Sequence, residues 1–119
     1  MPPEAGDWAR LWDMLVYARE IVQTTADVDF AQYLRDKTLR LATERRIEII
    51  GEAARNVSEQ FQTAHPEIPW RKIIAQRHVL AHEYGEVRQE MIYRVVIVHV
   101  PELVSQLTPL VPHAPEQPE

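Results

Sequence analysis

Apolar residues recur along most of this chain at intervals of three and four, the spacing that gathers side chains on one face of an α-helix. Near the start, Trp8, Leu11, Trp12, Leu15 and Val22 form such a stripe, and Asp7 stands where it can cap a first helix. The run Thr24 to Asp29 breaks the pattern, and Asp27 or Asp29 can cap a short helix carrying Phe30, Tyr33 and Leu34. A long helix is predicted over about Lys37 to Phe61, with Ile50, Ala54, Val57 and Phe61 on its apolar side. Ala42, Ile49 and Ala53 extend that side, and the small residues permit close approach of a neighbour. Gln62 to Pro69 reads as a loop, because Pro66 and Pro69 cannot sit inside a helix while Pro69 suits a first turn.

The next predicted helix carries Trp70, Ile73, Ile74, Ala81 and the ring of Tyr84 on its packed side, and Gly85 is placed to stop it. A last helix is predicted over about Val87 to Gln106, with Met91, Val95, Val98 and Leu103 inward. Pro101 should bend it or restart it. From Thr108 onward, Pro109, Pro112, Pro115 and Pro118 recur every three residues, which predicts an extended or disordered tail. No strand alternation, internal repeat or glycine-rich phosphate loop interrupts this picture. The expected fold is all-α: an antiparallel bundle of four main helices plus a short one, over 1–107, followed by a Pro-rich tail over 108–119.

Composition changes the picture only by exclusion. The 119 residues make one domain, and a hydrophobic content of 45% is that of a globular chain. With no cysteine there is no disulfide framework, thiolate metal site or Cys nucleophile. Met1 to Asp7 lacks the regions of a signal peptide, and no apolar run approaches the roughly 18 residues of a membrane span, so the expected location is cytoplasmic without membrane attachment. A net charge of −5 argues against avid, non-specific nucleic-acid binding, yet leaves room for a local basic groove.

The candidate chemistry is concentrated in Arg77-His78-Val79-Leu80-Ala81-His82-Glu83-Tyr84. Arginine offers a permanently charged fork for phosphate oxygens, histidine exchanges protons near neutral pH, and the tyrosine hydroxyl can bond or accept a modifying group. At about 100° per residue, Arg77, Ala81 and Tyr84 share a face and His78 lies four before His82. Arg77 and His82 are five apart, so one straight helix turns them away from each other. Either the helix changes course near Ala81, or a symmetric partner completes the pair.

The spacing of Arg77, His82 and Tyr84 resembles the R-x4-H-x-Y signature of HEPN domains, and more closely the HepT-like toxins paired with minimal nucleotidyltransferase (MNT) antitoxins. The lead-in His65 to Ile74 and the run Glu44 to Ala54 are similar to the same family, so the resemblance covers about residues 8–107. It differs at His78, where the family more often has a small polar residue. The resemblance implies a type II or type VII toxin–antitoxin pair. In it, the toxin is a homodimeric, metal-independent endoribonuclease with no cofactor. His82 handles protons, Arg77 the phosphate, and His78 assists by orientation. The products carry a cyclic phosphate and a 5′-hydroxyl. It also implies a cognate MNT-type partner that transfers AMP to Tyr84. The alternative within the same resemblance is a non-catalytic module that binds nucleotides or the partner and cuts nothing.

Plainer readings stand beside these. Arg, His and Tyr at a helix end can be a cap and a salt bridge. His78, His82 and Glu83 can be taken for part of a zinc site, but the His-Glu-x-x-His order is absent, and only His65 or His99 could add a ligand. The paired tryptophans are expected in core or dimer packing rather than as a base-stacking platform, and His99 as a packing histidine. The charges from Arg40 to Arg55 are expected on a solvated face, against the sharper reading that Arg45 or Arg46 borders the catalytic groove.

Overall fold

The structure, a computed structural model, describes residues 3–82 and 85–115, and of Arg77 the backbone alone. Helix α1 (Ala5–Thr25) is followed by α2 (Phe30–Arg35), α3 (Lys37–Arg55), α4 (Glu59–Ala64), α5 (Trp70–His82), α6 (Gly85–Arg94) and α7 (Val100–Leu107). A π-helical turn, Val95–His99, joins α6 to α7. Among the described residues there is no strand, and the all-α bundle is as expected.

The core forms where α1 lies along α3 and receives α7. Leu11, Met14, Leu15, Ala18 and Ile21 are the buried face of α1, so the stripe is centred one step from the one anticipated, and Val22 is exposed. On α3 the buried residues are Thr43, Ile47, Ile50, Gly51, Ala53 and Ala54. The small ones among them let the α1 backbone come near.

Local capping explains the boundaries. Asp29 caps α2 with a reciprocal box: the Gln32 amide N–H donates to its carboxylate at 2.8 Å, and its own amide donates to Gln32 Oε1 at 2.9 Å. Asp36 accepts from the Leu39 amide and starts α3. Asp7 does not cap α1, whose N-cap is Glu4 without a side-chain bond. Instead its carboxylate accepts from the Ser58 amide at 2.8 Å and the Ser58 hydroxyl at 2.6 Å. Ser58 in turn caps α4. The long helix expected over 37–61 is therefore two helices broken at 56–58. Phe61, on the second, is buried as expected.

The last helix also departs from expectation. Met91 and Val98 are exposed; the buried residues are Gln89, Ile92, Val96, Val100, Leu103 and Leu107. Both sets have helical spacing, but the stripe through Met91, Val95 and Val98 runs into Glu102, whereas the other stays aliphatic to Leu107. Pro101 falls in the first turn of α7, and the Val100 amide donates to Val95 O across the wider π turn. The turn takes up the register where proline supplies no N–H.

The tail after Leu107 was expected to be extended or disordered; of its described residues, those up to His113 make contacts with the bundle. Val111 is fully buried, Leu110 packs against the core, and the Trp8 indole N–H donates to the His113 carbonyl at 2.9 Å. The prolines set a turn that delivers Val111 to the end of the α1–α7 pair. Trp8 and Trp12 are half-buried at the core edge. Val111→Ala should cost about 1.5–3 kcal/mol, from lost burial plus the cavity left behind. A chain ending at Leu107 should melt earlier in urea than the full one; an unchanged midpoint would show that 108–119 contributes nothing.

Candidate functional site

Helix α5 is held against α3 by Trp70, Ile73 and Ile74 at its start and middle. Trp70 is buried, with its indole N–H donating to the His65 carbonyl at 2.9 Å, and Ile73 and Ile74 pack on the core. The helix enters from Pro69, and a cap of aromatic contacts fixes the entry. The His65 ring stacks on Phe61 at 4.3 Å, and its Nδ1 lies 2.9 Å from a Glu67 carboxylate oxygen. That bond holds the Glu67 carboxyl below the usual carboxylate range. His65 is thus committed to the lead-in.

Packing loosens toward the other end of α5. His78, Ala81 and His82 are exposed, and Leu80 is half-buried. Ala81 was expected on the packed side; the helix has turned it outward by that point. The His78 and His82 rings lie 4.1 Å apart, centroid to centroid, tilted by 41°. An i,i+4 pair of imidazoles open to solvent can take and return a proton at the same spot. The α-helix runs unbroken from Trp70 through His82, with Arg77 five positions before His82 along it. Glu83 and Tyr84 lie outside the described residues. Gly85 has φ 71°, a left-handed conformation that glycine adopts without strain, and α6 starts there.

A groove of about 300 Å³ runs beside the last turn of α5, lined by Leu80 and Ala81 with Glu44, Glu48 and Arg88. Glu44, on α3, forms an ion pair with Arg88 in the first turn of α6. Their side chains are only 12% and 23% exposed, against 50% and 65% for the surface pair Glu48–Arg45. Behind them the buried Tyr33 hydroxyl, Arg40 Nε and Arg88 Nε have no hydrogen-bond partner. Burial pushes the Tyr33 hydroxyl well above the ordinary tyrosine value; Glu44 adds to the rise, and Arg40 and Arg88 oppose it. Sequence reasoning missed this cluster. Glu44 was grouped with surface charges, and no spacing rule links it to Arg88 or Tyr33.

Other candidates fall elsewhere. Arg46 bonds Glu20 on α1 at 3.2 Å and Arg45 bonds Glu48 at 3.1 Å, and neither lines the groove at Ala81. His99 is exposed rather than packed. It borders a separate, mostly apolar cavity of about 210 Å³ between α3, the start of α5 and the π turn, where Lys72 and Gln76 are also found. Among the described residues no three His, Cys, Asp or Glu side chains gather as a metal site, and no helix is long and apolar enough to cross a membrane.

Comparison with known proteins points one way. The family described as ribonuclease HepT-like matches residues 14–110. The chain is 33% identical to a Methanocaldococcus jannaschii protein named as a candidate RNase, over 92% of this chain and 90% of that one. A second such protein of that organism is 30% identical over 83% and 91%. A Thermococcus cleftensis protein named a probable ribonuclease HepT is 36% identical over 76% and 82%. No solved structure matches.

The Tyr33 environment makes a pH prediction. The folded state favours the neutral hydroxyl, so this group's contribution to stability is intact below the unfolded tyrosine value of about 10 and is lost as pH rises above it. Tyrosinate absorbance should show at least one tyrosine that ionises only with alkaline unfolding, and Tyr33→Phe should remove that step.

Proposed function

Because the chain belongs to the HepT-like ribonuclease family, we propose that it is an RNA-cleaving toxin whose chemistry rests on Arg77, His78 and His82 and whose activity is controlled at Tyr84. The observation that carries this reading is the exposed imidazole pair. Two histidines with rings 4.1 Å apart stand on the solvent side of a helix whose other side is anchored in the core.

RNA supplies its own nucleophile. The 2′-oxygen attacks the adjacent phosphorus, the bond from phosphorus to the 5′-oxygen breaks, and the products are a cyclic phosphate and a 5′-hydroxyl. The reaction needs a base for the 2′ proton, an acid for the leaving oxygen and positive charge on the crowded phosphate. His82 serves the proton transfers, His78 orients it through the ring contact, and Arg77 serves the phosphate. Nothing in these steps calls for a metal ion.

Five positions along an unbroken helix turn two residues about 140° apart. Arg77 and His82 of one chain then address different directions, and a two-fold homodimer brings Arg77 of one copy near His82 of the other. The exposed apolar residues Val87 and Met91 on α6, directly after the motif, suit a surface buried in such a dimer. Tyr84 is the proposed acceptor for AMP from a cognate nucleotidyltransferase. The added phosphate would occupy the charge that RNA needs and block the cleft.

His82→Ala should remove RNA cleavage and toxicity while the helical spectrum survives, and Arg77→Ala should lower cleavage by about 10² to 10³-fold. Cleavage should persist in EDTA. Wild-type rates from His82→Ala would refute the assignment. Sedimentation should give a dimer at micromolar concentration. After co-expression with a cognate nucleotidyltransferase, mass spectrometry should find added nucleotide on Tyr84; Tyr84→Phe should carry none.

A further inference from the structure

We propose that the Glu44–Arg88 pair is a positioning device for the catalytic turn, acting on the reaction through His82. The inference rests on the ribonuclease reading above. Its structural premise is the pair's place. Glu44 belongs to α3, the helix against which α5 is packed. Arg88 belongs to the first turn of α6, three residues after Gly85. Only two residues separate the end of α5 at His82 from that start. The pair therefore ties the first turn of α6 to the same helix that supports α5, and sets where α6 starts relative to His82.

Three observations set this pair apart from surface charge pairing. Glu44 and Arg88 are more buried as a couple than the other described ion pairs, Arg45–Glu48, Arg46–Glu20 and His65–Glu67. They line the groove together with Leu80 and Ala81, two of the three residues between the two histidines. Lastly, Glu44, Arg88 and Arg40 all lie close enough to the buried Tyr33 to act on its hydroxyl, so the pair belongs to a charged cluster around that phenol rather than standing alone on the surface. A buried charge left without its partner is strongly unfavourable, which makes one arrangement of α6 dominate.

The far end of α6 has ties of its own. Tyr93 packs at a tilt against Phe30 and donates its hydroxyl to the Val28 carbonyl. Loss of the ion pair should thus release the start of α6 and the end of α5 while the end of α6 stays docked. Neither Glu44 nor Arg88 needs to touch RNA for this role.

The test compares Glu44→Gln, Arg88→Gln and the exchanged double variant Glu44→Arg/Arg88→Glu with the parent. Two readouts are used: cleavage of a single-stranded RNA, and magnetic resonance of the histidine rings and tryptophan indoles. The single variants should lose about 10 to 10²-fold in kcat with KM within about twofold, as expected of a group that misplaces a catalytic side chain. Their His82 ring signal should move, while the indole signals of Trp8, Trp12 and Trp70 should not. The exchanged variant should recover at least part of kcat and return the His82 signal toward the parent position. Parent-like kcat in both single variants would overturn the proposal. So would displaced indole signals in the single variants with no recovery on exchange, which would mark the pair as general packing. If the parent protein cuts no RNA, the ribonuclease reading fails, and the His82 ring signal alone decides the pair: an unmoved signal in Glu44→Gln refutes it.

Discussion

The close approach of α1 to α3 is the constraint on which the rest of the bundle depends. Small residues on the buried side of α3, Gly51, Ala53 and Ala54, favour such an approach, and Leu11, Leu15 and Ala18 are fully buried on α1. With that pair closed, α3 still has Ile47 and Ile50 facing α5, and α1 still has room for the aliphatic stripe of α7. One helix thereby supports both the stable half of the molecule and the helix that carries the histidines.

The bundle divides its labour along α5. At Trp70 the helix is locked by burial, by an indole hydrogen bond and by the His65–Phe61 stack. At His82 it is open. Active groups benefit from being held by packed elements while remaining accessible, and a helix buried at one end and bare at the other meets both needs. At the histidine end the apolar anchoring thins to the half-buried Leu80, and the Glu44–Arg88 pair lies beside it.

Family membership and geometry contribute different things to the functional reading. The relatives speak for ribonuclease chemistry in general. The described structure adds that the histidines face solvent on an unbroken helix and that Arg45, Arg46, His65 and His99 are placed elsewhere or engaged elsewhere. On an ideal helix a five-residue offset turns two positions about 140° apart, and this is the physical reason for the proposed second copy.

Much of this was legible in the chain alone. Helical periodicity depends on local geometry, so the all-α class, the helix entry at Pro69 and the break near Gly85 could be read directly, and the cap of α2 was narrowed to Asp27 or Asp29 before the structure chose Asp29. The grouping of Arg77, His78, His82 and Tyr84 was equally local. What the sequence could not decide were choices between faces and between distant partners. Two apolar stripes compete on the last helix, and only packing against α1, with a π turn ahead of Pro101, selects Ile92, Val96 and Val100 over Met91 and Val98. Asn56 closes α3, and Ser58, held by Asp7 from across the fold, starts α4. A proline-rich tail carries no periodicity, so the burial of Val111 was invisible until α1 and α7 made a place for it. Glu44, Arg88 and Tyr33 meet only in three dimensions. Pairing of charges across a bundle is set by how helices pack, and no spacing along the chain encodes it.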